Sequence, residues 1–454
     1  MAIDIQAVRG MNDMLPADAA QWQHLDDAVR EVFRQYGYGH IRTPMVEKTE
    51  LFVRGVGEAT DIVEKEMYSF DDNGESLSLR PEGTAPTVRA ALEHNLLYDG
   101  PKRLWYSGPL FRHERPQKGR YRQYHTYGAE ALGFAGPDID VEQLVMVNRL
   151  WRRLGIEGVT LEINTIGEAD ERRAFRARLV AYFEQHRDVL DADSTRRLVT
   201  NPLRILDSKN PAMQATIEAA PRLFDALGEA SRARFSAVQE ALRSAGIGFR
   251  INPRLVRGLD YYNALVYEWV TERLGSQSAI CSGGRYDGLF EQLGGKPTPG
   301  CGFGIGAERV LLLLEQDTSV RPHVPDAYVV HAGVLAARLA VKVGESLRDA
   351  GLDVLTHAGG GSFKSQMKRA DASGARVALI IGDDEAAAER VTVKPLRESA
   401  EQRAIPVADV VAHVRAAFPR HGSAIAQGGT AASTAACTGS AQATPRSSAD
   451  WIAD

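Results

Sequence analysis

Short apolar runs separated by glycine and proline turns restrict the fold of this chain more than any other feature of its sequence. Between Leu77 and Gly133 the runs LSLRPEG, RLWYSGPLF and YRQYHTYGAEALG follow one another with such turns between them. Strands joined by short turns pair antiparallel, because parallel neighbours need a long crossover connection. We therefore predict an antiparallel sheet in this part of the chain.

Helical segments flank and interrupt this sheet. Apolar residues recur at helical spacing from Ala17 to Tyr36, GYGHIRTPM then predicts a turn and a strand, and another helix is predicted from roughly Val141 to Arg153. Residues from about 168 to 250 are rich in Arg, Ala, Glu and Leu with helical periodicity. We therefore predict an α+β domain over residues 1–322, built on the antiparallel sheet and carrying a mostly helical insertion.

The pattern changes after the proline-punctuated stretch RPHVPD. Strand-like and helix-like segments then alternate, as AYVVHAGV, ARLAVKVGESLRDA, LDVLTH, SFKSQMKRADASG and ARVALIIG. This alternation predicts a separate α/β domain over residues 323–420. Residues 421–454 are poor in large apolar side chains and rich in Ala, Ser, Thr and Gly, so we expect a disordered tail.

Composition and cysteine usage narrow the class of protein. The 454 residues are 44% hydrophobic and 25% charged, which suffices for sizeable cores. No run of about 18 uncharged apolar residues occurs, and the start lacks the pattern of a signal peptide, so we expect a cytoplasmic protein without a membrane partner. Cys281, Cys301 and Cys437 have no CxxC spacing, and we expect free thiols rather than a disulfide framework or a zinc site.

The charge pattern allows local binding of nucleic acid. With 54 Lys and Arg against 59 Asp and Glu, the net charge of −5 gives no overall basic field, and we expect no DNA partner. The segment FRHERPQKGRYRQYH, Phe111 to His125, is an exception because it concentrates cations in a predicted hairpin. Such a hairpin can aim a guanidinium at a phosphate while its loop contacts another polyanion. A solvated charged hairpin is the alternative.

Two glycine-rich segments resemble nucleotide-binding loops only superficially. CGFGIGAERVLLLLEQ matches G-x-G-x-x-A, but GGKPTPG stands where a Rossmann fold needs a buried strand. GGGSFKSQMKRAD lacks the GK[ST] ending of a phosphate-binding loop. The segments LRPEGTAPTVRA, LVRGLDYYNALVYEW and SGGRYDGLFEQLGG join glycine turns to polar or aromatic groups, which is typical of a specific polar pocket.

Together, and in this order, the segments resemble the class II aminoacyl-tRNA synthetases, and among them the histidyl-tRNA synthetase family. FRHERPQKGRYRQ resembles motif 2, GFGIGAER resembles motif 3, and the helix and strand around RTP resemble motif 1. LVRGLDYY and SGGRYDGL are similar to two signatures peculiar to the histidine enzymes. The resemblance runs from about Arg9 to about Phe418. It implies ATP-dependent activation of histidine to histidyl-adenylate and transfer of histidine to the 3′ end of tRNA(His).

The resemblance also implies a role for each arginine of the motifs. The first reaction is attack by the histidine carboxylate on the α-phosphate of ATP, which needs no protein nucleophile, so catalysis should come from positioning and from cations. Arg112 and Arg257 match the cations at the α-phosphate, and Arg309 matches the motif 3 arginine at the γ-phosphate and adenine. Glu114 is implied at the adenine and the tRNA end. Family members also use Mg²⁺, for which we assign no protein ligand.

A histidine pocket is implied by further matches. Recognition of imidazole asks for partners to both ring nitrogens, and Glu130 and Tyr262 match the family residues that provide them. Glu82 and Thr84 match those that bind the substrate ammonium, and Tyr286 is implied at the border of the ring.

One position of the pocket departs from the family. Where most members have RQFHQ, with the glutamine contacting the amino acid, this chain has RQYHT. Thr126 therefore takes the place of that glutamine. Its side chain is shorter, so this one contact with histidine is in question while the other matches are unaffected.

The resemblance implies two tRNA-binding regions and a homodimer. The last domain resembles the anticodon-binding domain of the group, and motif 1 implies the dimer. A merely solvated helix face is the alternative for the cations of the last domain. The candidate tRNA contacts are Arg115, Gln117, Arg120 and Arg122 in the hairpin and Lys364, Lys368 and Arg369 in the last domain.

An alternative function is that of a catalytically silent, synthetase-like regulatory protein, such as the regulatory subunit of ATP phosphoribosyltransferase. Such relatives typically lose the catalytic arginines and the anticodon domain. This chain keeps Arg112, Arg257, Arg309 and Glu82 together with the last domain. That combination favours the enzyme.

Overall fold

The computed structural model describes residues 5–58, 60–206, 208, 210–275, 278–314 and 324–417. The chain divides into two units, Met1–Pro322 and His323–Asp454. The tail predicted over residues 421–454, and Cys437 within it, lie outside the described residues. Within the described ranges, no helix has the length and apolar character needed to cross a membrane.

A largely antiparallel sheet forms the centre of the first unit, as the glycine-punctuated runs predict. The strands of this unit are β1 (Gly39–His40), β2 (Val46–Lys48), β3 (Tyr68–Asp72), β4 (Glu75–Leu79), β5 (Lys102–Phe111), β6 (Gln123–Leu132), β7 (Thr160–Thr165), β8 (Phe249–Ile251), β9 (Asn263–Val270), β10 (Ala279–Arg285) and β11 (Gly300–Gly306). The central sheet has the order β1-β5-β6-β11-β10-β9-β7-β8, with parallel pairs only at its two edges among the described strands. A smaller antiparallel sheet has the order β2-β4-β3.

Helices pack on the central sheet and make up most of the insertion. They are α1 (Ala19–Gln35), α2 (Thr49–Val56), α3 (Thr84–Glu93), α4 (Pro137–Arg153), α5 (Ala169–Glu184), α6 (Ala192–Thr200), α7 (Gln214–Ala219), α8 (Glu229–Ser244), α9 (Leu289–Gln292) and α10 (Ala307–Leu314). The apolar stripe of α1 faces the sheet, where the Phe33 ring meets Trp105 of β5 at 5.6 Å and Phe303 of β11 at 5.9 Å. Helices α5 to α8 follow β7 and precede β8, within the stretch predicted to be mostly helical.

The segment LRPEGTAP leads into a helix that the strand-and-turn pattern does not predict. The Glu82 carboxylate accepts the backbone N–H groups of Thr84 at 2.7 Å and Ala85 at 2.8 Å, and so caps the first turn of α3. Val88 and Ala91 then bury one helical face against the core. The local cap therefore decides the structure here.

The second unit is an α/β domain, as the alternation of its segments predicts. Its strands are β12 (Ala327–Ala332), β13 (Val354–Thr356), β14 (Val377–Gly382), β15 (Arg390–Pro395) and β16 (Arg403–Pro406), and its helices are α11 (Val334–Asp349), α12 (Phe363–Ala372), α13 (Asp383–Ala387) and α14 (Val410–Ala417). The sheet order is β13-β12-β14-β15-β16. Strand β12 pairs parallel with β13 and β14, whereas β15 pairs antiparallel with β14 and β16.

Candidate active site

A cavity of about 330 Å³ opens over the central sheet of the first unit. Its walls come from β5, β6, β9, β10 and β11 and from the segments that precede α3 and begin α10. Its size is that of an ordinary small-molecule site. The cavity brings together Glu82, Thr84, Arg112, Glu114, Arg120, Thr126, Tyr262, Arg257 and Arg309 among the predicted residues.

Arg112 stands where β5 ends and the hairpin begins, on one wall of the cavity. Its Nε donates to the carbonyl oxygen of Pro81 at 2.8 Å, and its guanidinium carbon lies 5.8 Å from the centre of the Tyr124 ring. The Tyr124 hydroxyl donates to the same carbonyl at 3.1 Å. The arginine is thus held from two sides before any ligand binds.

The other two arginines of the cavity are held in comparable ways. Arg257 forms an ion pair with Glu268 of β9 and lies 5.6 Å from the centre of the Tyr262 ring. Arg309, in the first turn of α10, donates from Nε to the carbonyl oxygen of Gly119 at 3.0 Å and from a terminal nitrogen to another main-chain carbonyl. Fixed guanidinium groups of this kind suit the binding of phosphate oxygens.

Glu82 follows Pro81, whose carbonyl oxygen accepts from Arg112, and is only 4% exposed. Besides capping α3, its carboxylate lies 3.5 Å from the Tyr261 hydroxyl. Burial is the largest influence on this carboxyl group and raises its pKa. A cationic ligand beside Glu82 would therefore be stabilised strongly.

Glu130 lies directly behind Thr84 and is fully buried. Its Oε1 accepts the hydroxyl groups of Thr84 at 2.8 Å and Tyr106 at 3.1 Å, and its Oε2 accepts that of Tyr286. Burial, the largest influence, raises the pKa of Glu130 to about 8. Of the predicted pocket residues within the described chain, Glu130 and Tyr286 form a layer behind the cavity wall rather than the wall itself.

The glycines of β11 make room for this buried layer. A Cβ at Gly302 would lie 1.7 Å from Oε2 of Glu130, and one at Gly300 would lie 2.4 Å from the Tyr286 ring. Strand β11 is antiparallel to both β6 and β10. Gly302 of GFGIGAER and Gly300 just before it therefore serve side-chain packing inside a sheet, which excludes a Rossmann turn at this position.

Thr126 lines the cavity and is 5% exposed. Its hydroxyl donates to the carbonyl oxygen of Ile305 at 3.0 Å on the neighbouring strand. The hydrogen of this hydroxyl is therefore not available for a hydrogen bond to a ligand. Toward a ligand in the cavity, Thr126 can act only as an acceptor.

The hairpin residues predicted to bind tRNA separate into two sets. Arg115 and Gln117 are exposed. Arg120 turns into the cavity and pairs with Glu114, whereas Arg122 donates to the carbonyl oxygen of Glu114 at 3.2 Å. Arg115 and Gln117 are therefore available to a macromolecule, while Arg120 and Arg122 also organise the loop.

In the second unit, Lys364, Lys368 and Arg369 are all exposed on α12. The helix begins at Ser362, whose hydroxyl accepts the N–H of Ser365 at 3.3 Å. The three cations thus form one positively charged stretch of a capped helix.

The sequence predictions miss several residues of the cavity wall, above all the tyrosines. For Tyr106 on β5 and Tyr124 on β6, only alternation along the strand could have indicated a place in the wall, and that pattern is equally typical of a packed sheet. Within the described chain, no group of three or more His, Cys, Asp or Glu side chains is placed to hold a metal ion. The missed residues include Tyr106, Tyr121, Tyr124, Tyr261, Glu268 and Ser282.

Comparison with known proteins agrees with this arrangement. The family model for histidyl-tRNA synthetase matches residues 10–310, and that for the anticodon binding domain matches residues 326–417. The histidine–tRNA ligase of Nitrosomonas europaea is 61% identical over 411 residues, which cover 90% of this chain and 98% of that protein. That of Thiobacillus denitrificans is 61% identical over 420 residues, covering 92% and 100%.

A solved structure extends the likeness to three dimensions. The structure of apo histidyl-tRNA synthetase from S. aureus has a TM-score of 0.76 and 34% sequence identity, covering 90% of this chain and 100% of that one. The sequence match spans both units and includes every segment that contributes to the cavity. The chain therefore belongs to the histidyl-tRNA synthetase family.

Proposed function

We propose that this chain uses the cavity to activate histidine with ATP and then transfers the histidyl group to the 3′ end of tRNA(His). The observation that carries the proposal is one cavity lined both by three oriented guanidinium groups, which we call the arginine end, and by the buried carboxyl group of Glu82 with Glu130 behind it, which we call the carboxylate end. The first end suits a triphosphate and the second suits an amino acid. A silent regulatory relative would not need both.

In the first step, a carboxylate oxygen of histidine attacks the α-phosphorus of ATP. A new P–O bond forms, the bond to the β-phosphate breaks, and pyrophosphate leaves with its electron pair. Arg112 and Arg257 stabilise the charge on the α-phosphate oxygens, and Arg309 holds the γ-phosphate and the adenine ring. Their contacts within the protein support these roles, because cations that need no reorganisation stabilise a transition state most effectively.

Magnesium, which the family resemblance implies, finds no ready set of protein ligands among the residues that the structure describes. Glu114 and Glu268, the carboxylates nearest the arginines, are already in ion pairs with Arg120 and Arg257. We therefore propose that Mg²⁺ arrives on the ATP phosphates, and we assign it neither a protein ligand nor a step.

Histidine is recognised at the carboxylate end. Glu82 and Thr84 bind the ammonium group, which supplies the positive charge that a buried carboxylate lacks. Tyr262 bonds to one ring nitrogen from the cavity wall, and Glu114 contacts the adenine. Glu130 and Tyr286, which lie in the layer behind the wall, bond to the other nitrogen and border the ring once the ring enters that layer. An amino acid without both ring nitrogens would leave buried groups unpaired at about 1–3 kcal/mol each, so it would be rejected without editing.

Exchange of labelled pyrophosphate into ATP, measured with each of the twenty amino acids, tests this function. We expect exchange with histidine alone. Exchange with another amino acid, or none at all, would refute the assignment.

We propose that tRNA contacts both units. Arg115, Gln117, Arg120 and Arg122 of the hairpin face the acceptor end, and the cations of α12 face the anticodon arm. Replacing Lys364, Lys368 and Arg369 by alanine should raise the KM for tRNA about tenfold or more and leave pyrophosphate exchange unchanged. Arg338→Ala/Lys342→Ala, which removes two exposed cations from α11, is the matched control. Equal effects of the two variants would argue against a specific surface.

A homodimer is proposed from exposed apolar side chains on and beside the small sheet. Met45, Val46 and Phe70 are 51%, 39% and 45% exposed, and they lie on or next to β2 and β3. Apolar groups clustered in this way favour a protein contact. Sedimentation of Phe70→Glu should show dissociation, and an unchanged mass would contradict this interface.

We propose a cytoplasmic location. Among the described residues, Cys281 and Cys301 are buried free thiols, which suits a reducing compartment. Cell fractionation tests the location directly.

A further inference from the structure

Tyr106 is packed with unusual tightness against the main chain on both sides. It lies on β5 opposite Gly128 of β6 and is 5% exposed. A Cβ at Gly128 would lie 2.1 Å from its ring, and one at Gly83 would lie 2.2 Å from it. Any residue other than glycine at these positions would displace the ring. Two separate segments are thus adapted to one tyrosine.

The position of the ring fixes where its hydroxyl points. That hydroxyl donates to Oε1 of Glu130 at 3.1 Å, the same oxygen that accepts from Thr84 at 2.8 Å. The other carboxylate oxygen accepts from Tyr286. Three hydroxyl groups from three segments therefore converge on Glu130, and the Tyr106 ring is held by a glycine on each side.

We propose that Tyr106 is a positioning residue for histidine recognition, which orients the Glu130 carboxylate toward the substrate ring through a hydroxyl that Gly83 and Gly128 hold in place. This inference rests on the proposed function, because Glu130 is taken there to bind the imidazole. It assigns to Tyr106 no direct step in the chemistry.

The hydrogen bond also affects the charge of Glu130. Burial raises the pKa of Glu130 to about 8, and the hydroxyl donors, Tyr106 among them, act in the opposite direction. Loss of the Tyr106 hydroxyl should therefore raise this pKa further, and the carboxyl group would stay protonated to higher pH. The titratable groups that face Glu130 from the surrounding elements are Glu82, Tyr106, Tyr261, Tyr262, Tyr286 and Cys301.

The test is the pH dependence of kcat/KM for histidine in pyrophosphate exchange, because this parameter reports groups of the free enzyme. Tyr106→Phe removes one oxygen atom and keeps the ring. Tyr267→Phe is the matched control, since Tyr267 is 1% exposed and its hydroxyl donates to Gln143 at 3.4 Å instead of to Glu130. Titration of histidine itself is common to all the proteins and cancels in the comparison. Melting curves verify that both variants fold.

For Tyr106→Phe we expect the acid limb to move upward by about 0.5–1 pH unit and kcat/KM for histidine at pH 7 to fall about 5- to 10-fold. KM for ATP should stay within about twofold, and Tyr267→Phe should follow the wild type. Calorimetric binding of histidine without ATP should weaken by a similar factor, which gives a second readout independent of turnover. A Tyr106→Phe profile that superimposes on that of Tyr267→Phe would overturn the inference. Absence of histidine-dependent exchange in the wild type would instead overturn the proposed function.

Discussion

The arginine end and the carboxylate end of the cavity both place ionisable groups inside the protein, but the groups are held by different kinds of contact. At the arginine end, each guanidinium is held by main-chain carbonyls, by a carboxylate or against an aromatic ring. At the carboxylate end, Glu82 and Glu130 are held, within the described chain, by N–H and hydroxyl groups instead of ion pairs. Arginine stays charged in either setting, whereas a buried carboxyl group has a raised pKa.

ATP and histidine therefore bind to groups that differ in their charge before the ligand arrives. The ATP end is already oriented and charged, so its contribution is to the transition state. The histidine end holds buried carboxyl groups with a raised pKa, and a cationic ammonium and a ring N–H stabilise their ionised form, so its contribution is to selective binding. Substitutions at the first end should therefore change mainly kcat, and substitutions at the second end should change mainly the KM for histidine.

The largest effect is expected at the arginine end. Arg257→Ala should lower the rate of adenylate formation by about 100-fold or more without impairing folding, since loss of one oriented donor typically costs about 2.7–4 kcal/mol. Single-turnover kinetics measures this directly. Arg254→Ala is the matched control, because Arg254 lies three residues earlier and pairs with Glu218 at 2.9 Å. A near-normal rate in folded Arg257→Ala would remove the assigned role.

A smaller effect of a different kind is expected at the carboxylate end. Glu130→Gln keeps the shape of the side chain but cannot provide the ionised form that histidine stabilises, and hydrogen bonds to charged groups contribute about 1.5–3 kcal/mol. We expect the KM for histidine to rise about 10- to 100-fold, with kcat and the KM for ATP changed much less. If kcat fell as steeply as it does in Arg257→Ala, the proposed division between the two ends would be wrong.

Glu130→Gln, which should weaken histidine binding, should in contrast make the folded protein more stable at high pH. The pKa of Glu130 is raised from about 4.5 to about 8 in the folded protein, so between these values the folded state binds more protons than the unfolded state. The free energy of unfolding then decreases as pH rises through this window. Above pH 8, Glu130→Gln should therefore melt at a higher temperature than the wild type, and the gain should vanish near pH 5. A difference in melting temperature that does not depend on pH would contradict the raised pKa.

Sequence reasoning predicts the parts of the molecule that depend on local pattern. The glycine-punctuated runs predict the antiparallel sheet, the alternating segments predict the second α/β unit, and the motifs predict which arginines meet in one cavity. Helix α3 is missed because it depends on a side-chain cap from Glu82. A cap of this kind is visible only once the chain direction after the carboxylate is known.

The features of the site that the sequence does not predict depend on contacts between residues that are far apart along the chain. Tyr106 is an ordinary strand tyrosine in the sequence, and its role appears only when Gly83 and Gly128 are seen on either side of its ring. The hairpin loop depends on Arg122, whose N–H donates to the carbonyl oxygen of Gly10 at 2.7 Å. Neither contact follows from spacing in the sequence.

The smallest effect is expected at Thr126, which lies on the same strand as Glu130 and faces the cavity. Its hydroxyl donates to the carbonyl oxygen of Ile305, so it can only accept from the ammonium group of histidine. Because the threonine side chain is short, this contact can also require a bridging water, whose ordering costs about 0–2 kcal/mol. Glutamine reaches roughly two bonds farther and can accept directly. Thr126→Gln should therefore lower the KM for histidine about 2- to 10-fold and leave the KM for ATP unchanged. Thr126→Val, which keeps the shape and removes the acceptor, should raise the KM for histidine instead. If Thr126→Gln left that KM unchanged but altered tRNA kinetics, Thr126 would face the acceptor end of tRNA, and the carboxylate end of the cavity would have to be redrawn without it.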